Sequence, residues 1–192
     1  RWTPSYKAQI LASRVDGTGT IATALAGLDG RPRALVCGSA IGWYGDTGDV
    51  AVDESAPCGE GFLADVVRQW EAAAAPAVAA GVRTCFARTG LVVAPGAGAF
   101  GKLVPIVKLG GGGRLGSGRQ YWSFISLTDE VAALRFLLAR DDISGPVNLT
   151  APHPVTNAAA VKALGALLHR PTAPVSYTHL RAHETVLDLV CR

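Results

Sequence analysis

Few side chains in this sequence combine reactive chemistry with a placement that could use it. Ser39 could donate a hydrogen bond to a carbonyl, Tyr44 or Asp46 could exchange protons, and Arg88 and Arg119 could hold an anionic group. Ser39, Tyr44 and Asp46 share one segment, Pro32-Arg-Ala-Leu-Val-Cys-Gly-Ser-Ala-Ile-Gly-Trp-Tyr-Gly-Asp46. In it a short apolar run without helical period breaks into small residues, followed by an aromatic pair closed by Gly and Asp. Buried parallel strands deliver polar side chains in this way to the carboxyl edge of an α/β sheet, where open sheets bind ligands. A strand end with a turn serine fits the same pattern equally well.

The other candidates each carry a plainer alternative. Arg88 ends a second expected strand and is either a ligand contact or one half of a surface ion pair. Arg119 adjoins Gln120-Tyr-Trp122 and is either a ligand contact or a solvated loop charge. Asp53-Glu54 could cap or brace a loop, and Glu71 is expected to pack structurally beside Trp70. His153 and His169 have no neighbouring nucleophile or carboxylate pattern and read as solvated. Cys37, Cys58 and Cys85 read as buried free thiols, and no C-x-x-C spacing suggests a metal site or a disulfide framework.

Alternating helices and strands position these residues. Thr3-Pro4 starts a helix whose apolar stripe, from Ile10 to Leu28, stops at Asp29-Gly30. Leu35 to Cys37 is the first strand, and a turn-rich loop runs from Ser39 to Gly61. A helix follows over Phe62 to Ala80, kinked or divided at Pro76. Val82 to Arg88 and Leu91 to Val93 read as strands, Phe100 to Leu109 as a helix, and Tyr121 to Ser126 as one further strand. Thr128-Asp-Glu130 caps a helix over Val131 to Arg140, Val147 to Thr150 is the last strand, and Thr156-Asn157 opens a helix over Ala158 to His169. This order predicts an α/β fold with a Rossmann-like, doubly wound parallel sheet.

Composition narrows the function. The 192 residues carry 18 Lys and Arg against 15 Asp and Glu, too small and dispersed an excess to argue for nucleic acid. Mean hydropathy is +0.27, yet no apolar run reaches membrane-span length. A cytoplasmic protein with no membrane partner is expected, and phosphate-bearing small molecules remain open as partners. Methionine is absent, so the natural start is expected to lie upstream. From Val175 to Thr185 the composition changes abruptly and resembles a translated sequencing adapter. Residues 175–192 are therefore expected to be non-native, and His179, His183 and Glu184 are not read as a metal site.

A nucleotide-binding βα start needs glycines between a strand and a helix, and none precedes Ser39. The one formal G-x-G-x-x-G, Gly111 to Gly116, follows a helix and leads into a strand. That is the reverse of what places phosphate on a helix N-terminus.

Several short motifs stand in order: Arg1-Trp-Thr-Pro, Ser13-Arg-Val-Asp-Gly-Thr18, Ser39-Ala-Ile-Gly-Trp-Tyr-Gly45, Asp53-Glu-Ser55, Phe62-Leu-Ala64 with Trp70-Glu71, Arg88-Thr-Gly-Leu-Val92, Gly112-Gly-Arg-Leu-Gly-Ser-Gly-Arg-Gln120 and Gly145-Pro-Val-Asn148. Together, over residues 1–174, they resemble the atypical short-chain dehydrogenase/reductase group known as NAD-dependent epimerase/dehydratase family proteins. The resemblance implies an incomplete Rossmann-like domain with part of a substrate-binding region. At about 30 residues per βαβ unit, roughly 90 residues of nucleotide-binding structure would precede residue 1. It also implies NAD(P) for the full-length protein, with the pyrophosphate-binding turn expected outside this fragment.

The wider superfamily uses Tyr-x-x-x-Lys, whereas the residues four after Tyr6, Tyr44, Tyr121 and Tyr177 are Ile10, Gly48, Ile125 and Arg181. The expectation is therefore an NAD(P)-dependent epimerase, dehydratase or oxidoreductase in which Ser39 polarises a small-molecule substrate and Tyr44 donates the proton. Arg88 and Arg119 are the expected substrate contacts. The alternative is a nucleotide-binding regulator without turnover, a role suggested by the cell-division-inhibitor label of some relatives.

Overall fold

Thr3 and Pro4 start the first helix as their chemistry dictates. In the computed structural model, which describes residues 2–172, α1 spans Pro4–Ala26 and the Thr3 hydroxyl accepts from the Tyr6 amide at 3.2 Å. The expected adapter-like tail, residues 175–192, lies outside the described residues. The described chain divides into two compact units, Trp2–Thr89 with Thr128–Leu149, and Gly90–Leu127 with residues 150–172.

The first unit carries a parallel sheet. β1 (Ala34–Ala40), β2 (Arg83–Thr89) and β6 (Gly145–Leu149) lie side by side in the order β1-β2-β6. The expected parallel α/β architecture is therefore present. Between β1 and β2 the chain forms a 3-10 turn over Ile41–Tyr44, then α2 (Phe62–Ala72) and α3 (Ala75–Ala79). Pro76 lies at the start of α3, where its missing amide hydrogen costs no helical bond, so the proline divides the helix rather than kinking it. Ala22 of α1, Ala77 of α3 and Val82 pack together with Leu35 of β1. α5 (Leu127–Ala139) starts earlier than expected: Thr128, Asp129 and Glu130 occupy its first turn rather than capping it, and the two acids suit the helix dipole there.

The second unit is built from short pieces: β3 (Leu91–Val93), α4 (Gly98–Lys108), β4 (Tyr121–Trp122), β5 (Phe124–Ser126), β7 (Val155–Thr156) and α6 (Asn157–Leu167). The single strand expected over Tyr121 to Ser126 is two, because β4 pairs antiparallel with β7 while β5 pairs parallel with β3. Leu91, Leu103, Val107, Leu115, Trp122 and Val161 form its apolar core. The Thr156 hydroxyl caps α6 by accepting from the Ala159 amide. No helix among the described residues is long and apolar enough to cross a membrane.

Candidate functional site

Ser39, Arg88 and Asn148 form one row across the three-stranded sheet. Ser39 is the register partner of Arg88, and Arg88 that of Asn148. Register partners in a sheet present their side chains to the same face, so the row gathers three polar groups near the carboxyl ends of adjacent parallel strands. Open α/β sheets place ligand sites at these ends.

Glu71 of α2 organises the row. Its Oε1 accepts from Ser39 Oγ at 2.5 Å and from Arg88 Nε at 2.9 Å, while Oε2 accepts from Arg88 Nη2 at 3.0 Å. Arg88 and Glu71 are 2% and 9% exposed, which makes this a buried bidentate ion pair of the geometry that guanidinium and carboxylate favour. The remaining nitrogen of Arg88, Nη1, donates to the Tyr44 hydroxyl at 3.1 Å, and Tyr44 donates to Asn148 Oδ1 at 2.7 Å. The chain of contacts Ser39, Glu71, Arg88, Tyr44, Asn148 thus draws on four elements and the 3-10 turn. Burial draws the Arg88 pKa down, but its hydrogen bonds to Glu71 and Tyr44 more than offset it, so the guanidinium is held above its ordinary value. Arg88 carries its charge throughout the accessible pH range.

The loop after β1 fixes Tyr44. Gly45 takes φ 65, and the Gly59 amide donates to the Trp43 carbonyl at 2.8 Å, folding the loop back on the turn. A Cβ on Gly59 would stand 2.1 Å from the Tyr44 carbonyl oxygen, so only glycine permits this approach. Trp43 donates from its indole to the Ala56 carbonyl and lays its ring over the Arg88 guanidinium at 4.0 Å. Glu54 accepts from the Asn148 amide at 2.7 Å and ties the loop to β6. Asp53 holds the Ser55 amide and hydroxyl, and those hydrogen bonds keep its carboxyl below the usual range. The expected bracing role of this acidic pair is what the structure contains.

On the other side of Ser39, Trp70 packs against Gly38, where a Cβ would meet the ring at 3.1 Å, and its indole donates to Thr18 at 2.8 Å. Burial raises the Cys37 pKa, with Thr18 opposing and Glu71 adding to the rise.

The sequence candidates separate clearly. Ser39, Tyr44 and Arg88 come together. Asp46 is exposed and accepts from the Gly48 amide at 3.0 Å. Arg119 belongs to the second unit, where it is exposed and its amide donates to Ser117 Oγ. His153 and His169 are exposed. No group of three or more His, Cys, Asp or Glu suited to a metal occurs among the described residues.

The glycine-rich segment Gly111 to Gly116 does not fit the phosphates of a dinucleotide. The glycines after α4 are packed against that helix: a Cβ on Gly112 would stand 2.9 Å from the Val107 side chain and one on Gly111 3.3 Å from Ile106. Their smallness admits α4 rather than phosphate, and the segment leads into β4, not into a helix.

Comparison with known proteins finds relatives along most of the chain. Over 172 residues the chain is 46% identical to an epimerase family protein of Mycobacterium bovis, covering 90% of this chain and 56% of that one. Over most of its length the chain is similar to epimerase family proteins. A nucleoside-diphosphate sugar epimerase of Corynebacterium glutamicum superposes with a TM-score of 0.78 at 35% identity, over 91% of this chain and 39% of that one. The human epimerase family protein solved with NADPH superposes with a TM-score of 0.83 at 28% identity, over all of this chain and 63% of that one. No family model matches the chain.

Within this chain, sequence reasoning missed the roles of Glu71 and Asn148. Glu71 continues the buried series Ala64 and Val67 on α2, so a carboxylate stands where the helical period calls for an apolar residue. That interruption was the available signal. Asn148 had no such mark, because its role follows from strand register.

Proposed function

We propose that this chain forms the substrate-side part of an NAD(P)-dependent epimerase- or oxidoreductase-type enzyme. The observation that carries the reading is the polar row Ser39, Arg88 and Asn148 at the strand ends, joined by Glu71 and Tyr44 into one buried network. The human relative solved with NADPH supports the cofactor class. The chain spans 56% of the length of the mycobacterial relative, and we assign the dinucleotide phosphates to the part of the relatives that it does not span.

Within this reading Ser39 and Tyr44 face the substrate. A carboxylate paired with arginine only accepts, so the Ser39 hydrogen points to Glu71 and its free lone pairs suit a substrate hydroxyl. Polarising a carbonyl requires that hydrogen to turn away from Glu71. Likewise, proton donation by Tyr44 requires its hydrogen to leave Asn148. All three Arg88 nitrogens are engaged within the protein, so Arg88 acts by holding Glu71 and Tyr44. Exposed Arg119 is the better candidate for an anionic substrate group.

The test is fluorescence titration with NADPH and NADH of two proteins: this chain, and this chain joined to the part of the Mycobacterium bovis relative that it does not span. Binding only by the joined protein, followed by cofactor turnover with a nucleotide-sugar panel, is the expected result. Equal binding by both would relocate the phosphate site into these residues. Binding by neither would end the NAD(P) reading.

A further inference from the structure

Three polar atoms in the core of the second unit have no hydrogen-bond partner among the described residues. They are Gln120 Oε1, Trp122 Nε1 and Asn157 Nδ2, each fully shielded from solvent. Asn157 is 0% and Trp122 3% exposed. Buried polar groups are almost always satisfied, by protein or by ordered water, because an unmet donor or acceptor loses its hydration without return.

The three residues are neighbours at the β4–β7 ribbon. Tyr121 pairs with Thr156 and Trp122 with Val155 in the antiparallel β4–β7 ribbon, so Gln120 stands opposite Asn157, whose amide donates to the Gln120 carbonyl at 2.9 Å. Gln120 and Trp122, two apart, share a face of β4. Both carboxamides also close on a single residue: Asn157 Oδ1 accepts from the Leu115 amide at 2.7 Å, and Gln120 Nε2 donates to the Leu115 carbonyl at 3.0 Å. Leu115 and Trp122 lie in the same apolar cluster.

These bonds remove the freedom to flip either carboxamide. Leu115 N–H needs an oxygen and Leu115 C=O needs an N–H, so the atoms left over must be the acceptor of Gln120 and the donor of Asn157. The indole of Trp122 only donates. Two donors and one acceptor match one water molecule, which accepts two hydrogen bonds and donates one.

We propose that a single buried water joins Gln120 Oε1, Trp122 Nε1 and Asn157 Nδ2, and that it completes the anchoring of the glycine-rich segment at Leu115. The segment would then be held by β4, α6 and the water together. The site lies within the second unit, whereas Ser39, Glu71 and Arg88 belong to the first.

Water-detected NMR of the whole chain tests it. Expected are dipolar cross-peaks, with the sign of a long-lived bound water, from the water line to both the Trp122 indole hydrogen and the Asn157 carboxamide hydrogens. Trp122→Phe should abolish the indole signal, keep the Asn157 cross-peak and shorten the water's residence. A crystal structure should show one ordered water within hydrogen-bond distance of all three atoms. A direct Asn157 to Gln120 bond without water, or cross-peaks absent from both groups in the wild type, would overturn the proposal. So would an organic molecule retained in the site.

Discussion

Arg88 Nε and Nη2 hold the two carboxylate oxygens of Glu71 at 2.9 and 3.0 Å in the interior of the sheet unit. Removing one member of such a pair leaves the other charged and unpaired. Arg88→Met should therefore cost about 3 to 5 kcal/mol in urea unfolding, whereas the double variant Glu71→Leu with Arg88→Met should recover part of that loss. A double variant as unstable as the sum of the singles would show that the two residues act independently.

Ser39 gives Glu71 one hydrogen bond in addition to the two from Arg88. Ser39→Ala should cost only about 1 kcal/mol of stability, since Glu71 keeps its charged partner. If Ser39 serves the proposed chemistry, the same substitution in the joined protein should lower turnover by about 10² to 10³. Normal turnover would leave Ser39 a structural residue.

Two glycines should respond in opposite directions. Gly59→Ala drives a Cβ into the Tyr44 carbonyl and should destabilise by about 2 kcal/mol or more. Gly17 lies inside α1 with nothing near its would-be Cβ, so Gly17→Ala should stabilise by about 0.5 to 1 kcal/mol. Thermal melts of the two variants check both signs.

Asp142 supplies a pH prediction. Hydrogen bonds from Arg140, at 2.7 and 2.5 Å, lead the causes that hold its carboxyl at about 2. A lowered folded-state pKa gives a contribution present above the unfolded value and lost as pH falls through about 2. Carboxyl-detected NMR should find Asp142 still ionised at pH values where an ordinary aspartate has taken up its proton. Arg140→Gln should raise it toward the usual range, while the backbone hydrogen bond and Arg83 continue to hold it down.

Local chemistry made much of the fold legible. Thr3-Pro4 marked the start of α1, and Pro76 marked the break between α2 and α3, because capping and ring sterics act within one turn. The end of β4 and the start of α5 were not marked so sharply. A strand that changes partners between Trp122 and Phe124 depends on residues far along the chain. The candidate site divides in the same way. Ser39 was readable from the break in its apolar run, but its acceptor Glu71 and the register that brings Asn148 to Tyr44 arise only when the elements pack.

That dependence has a kinetic consequence. Ser39, Glu71, Arg88 and Asn148 come from distant stretches of chain, and each parallel pairing requires a long crossover to close before its contacts repay the entropy. The network is therefore expected to assemble late in folding, after α1 and α2 have gained helicity. Trp43, stacked on the Arg88 guanidinium, gives this final step its own optical clock: its emission should settle more slowly than the far-ultraviolet signal of the helices.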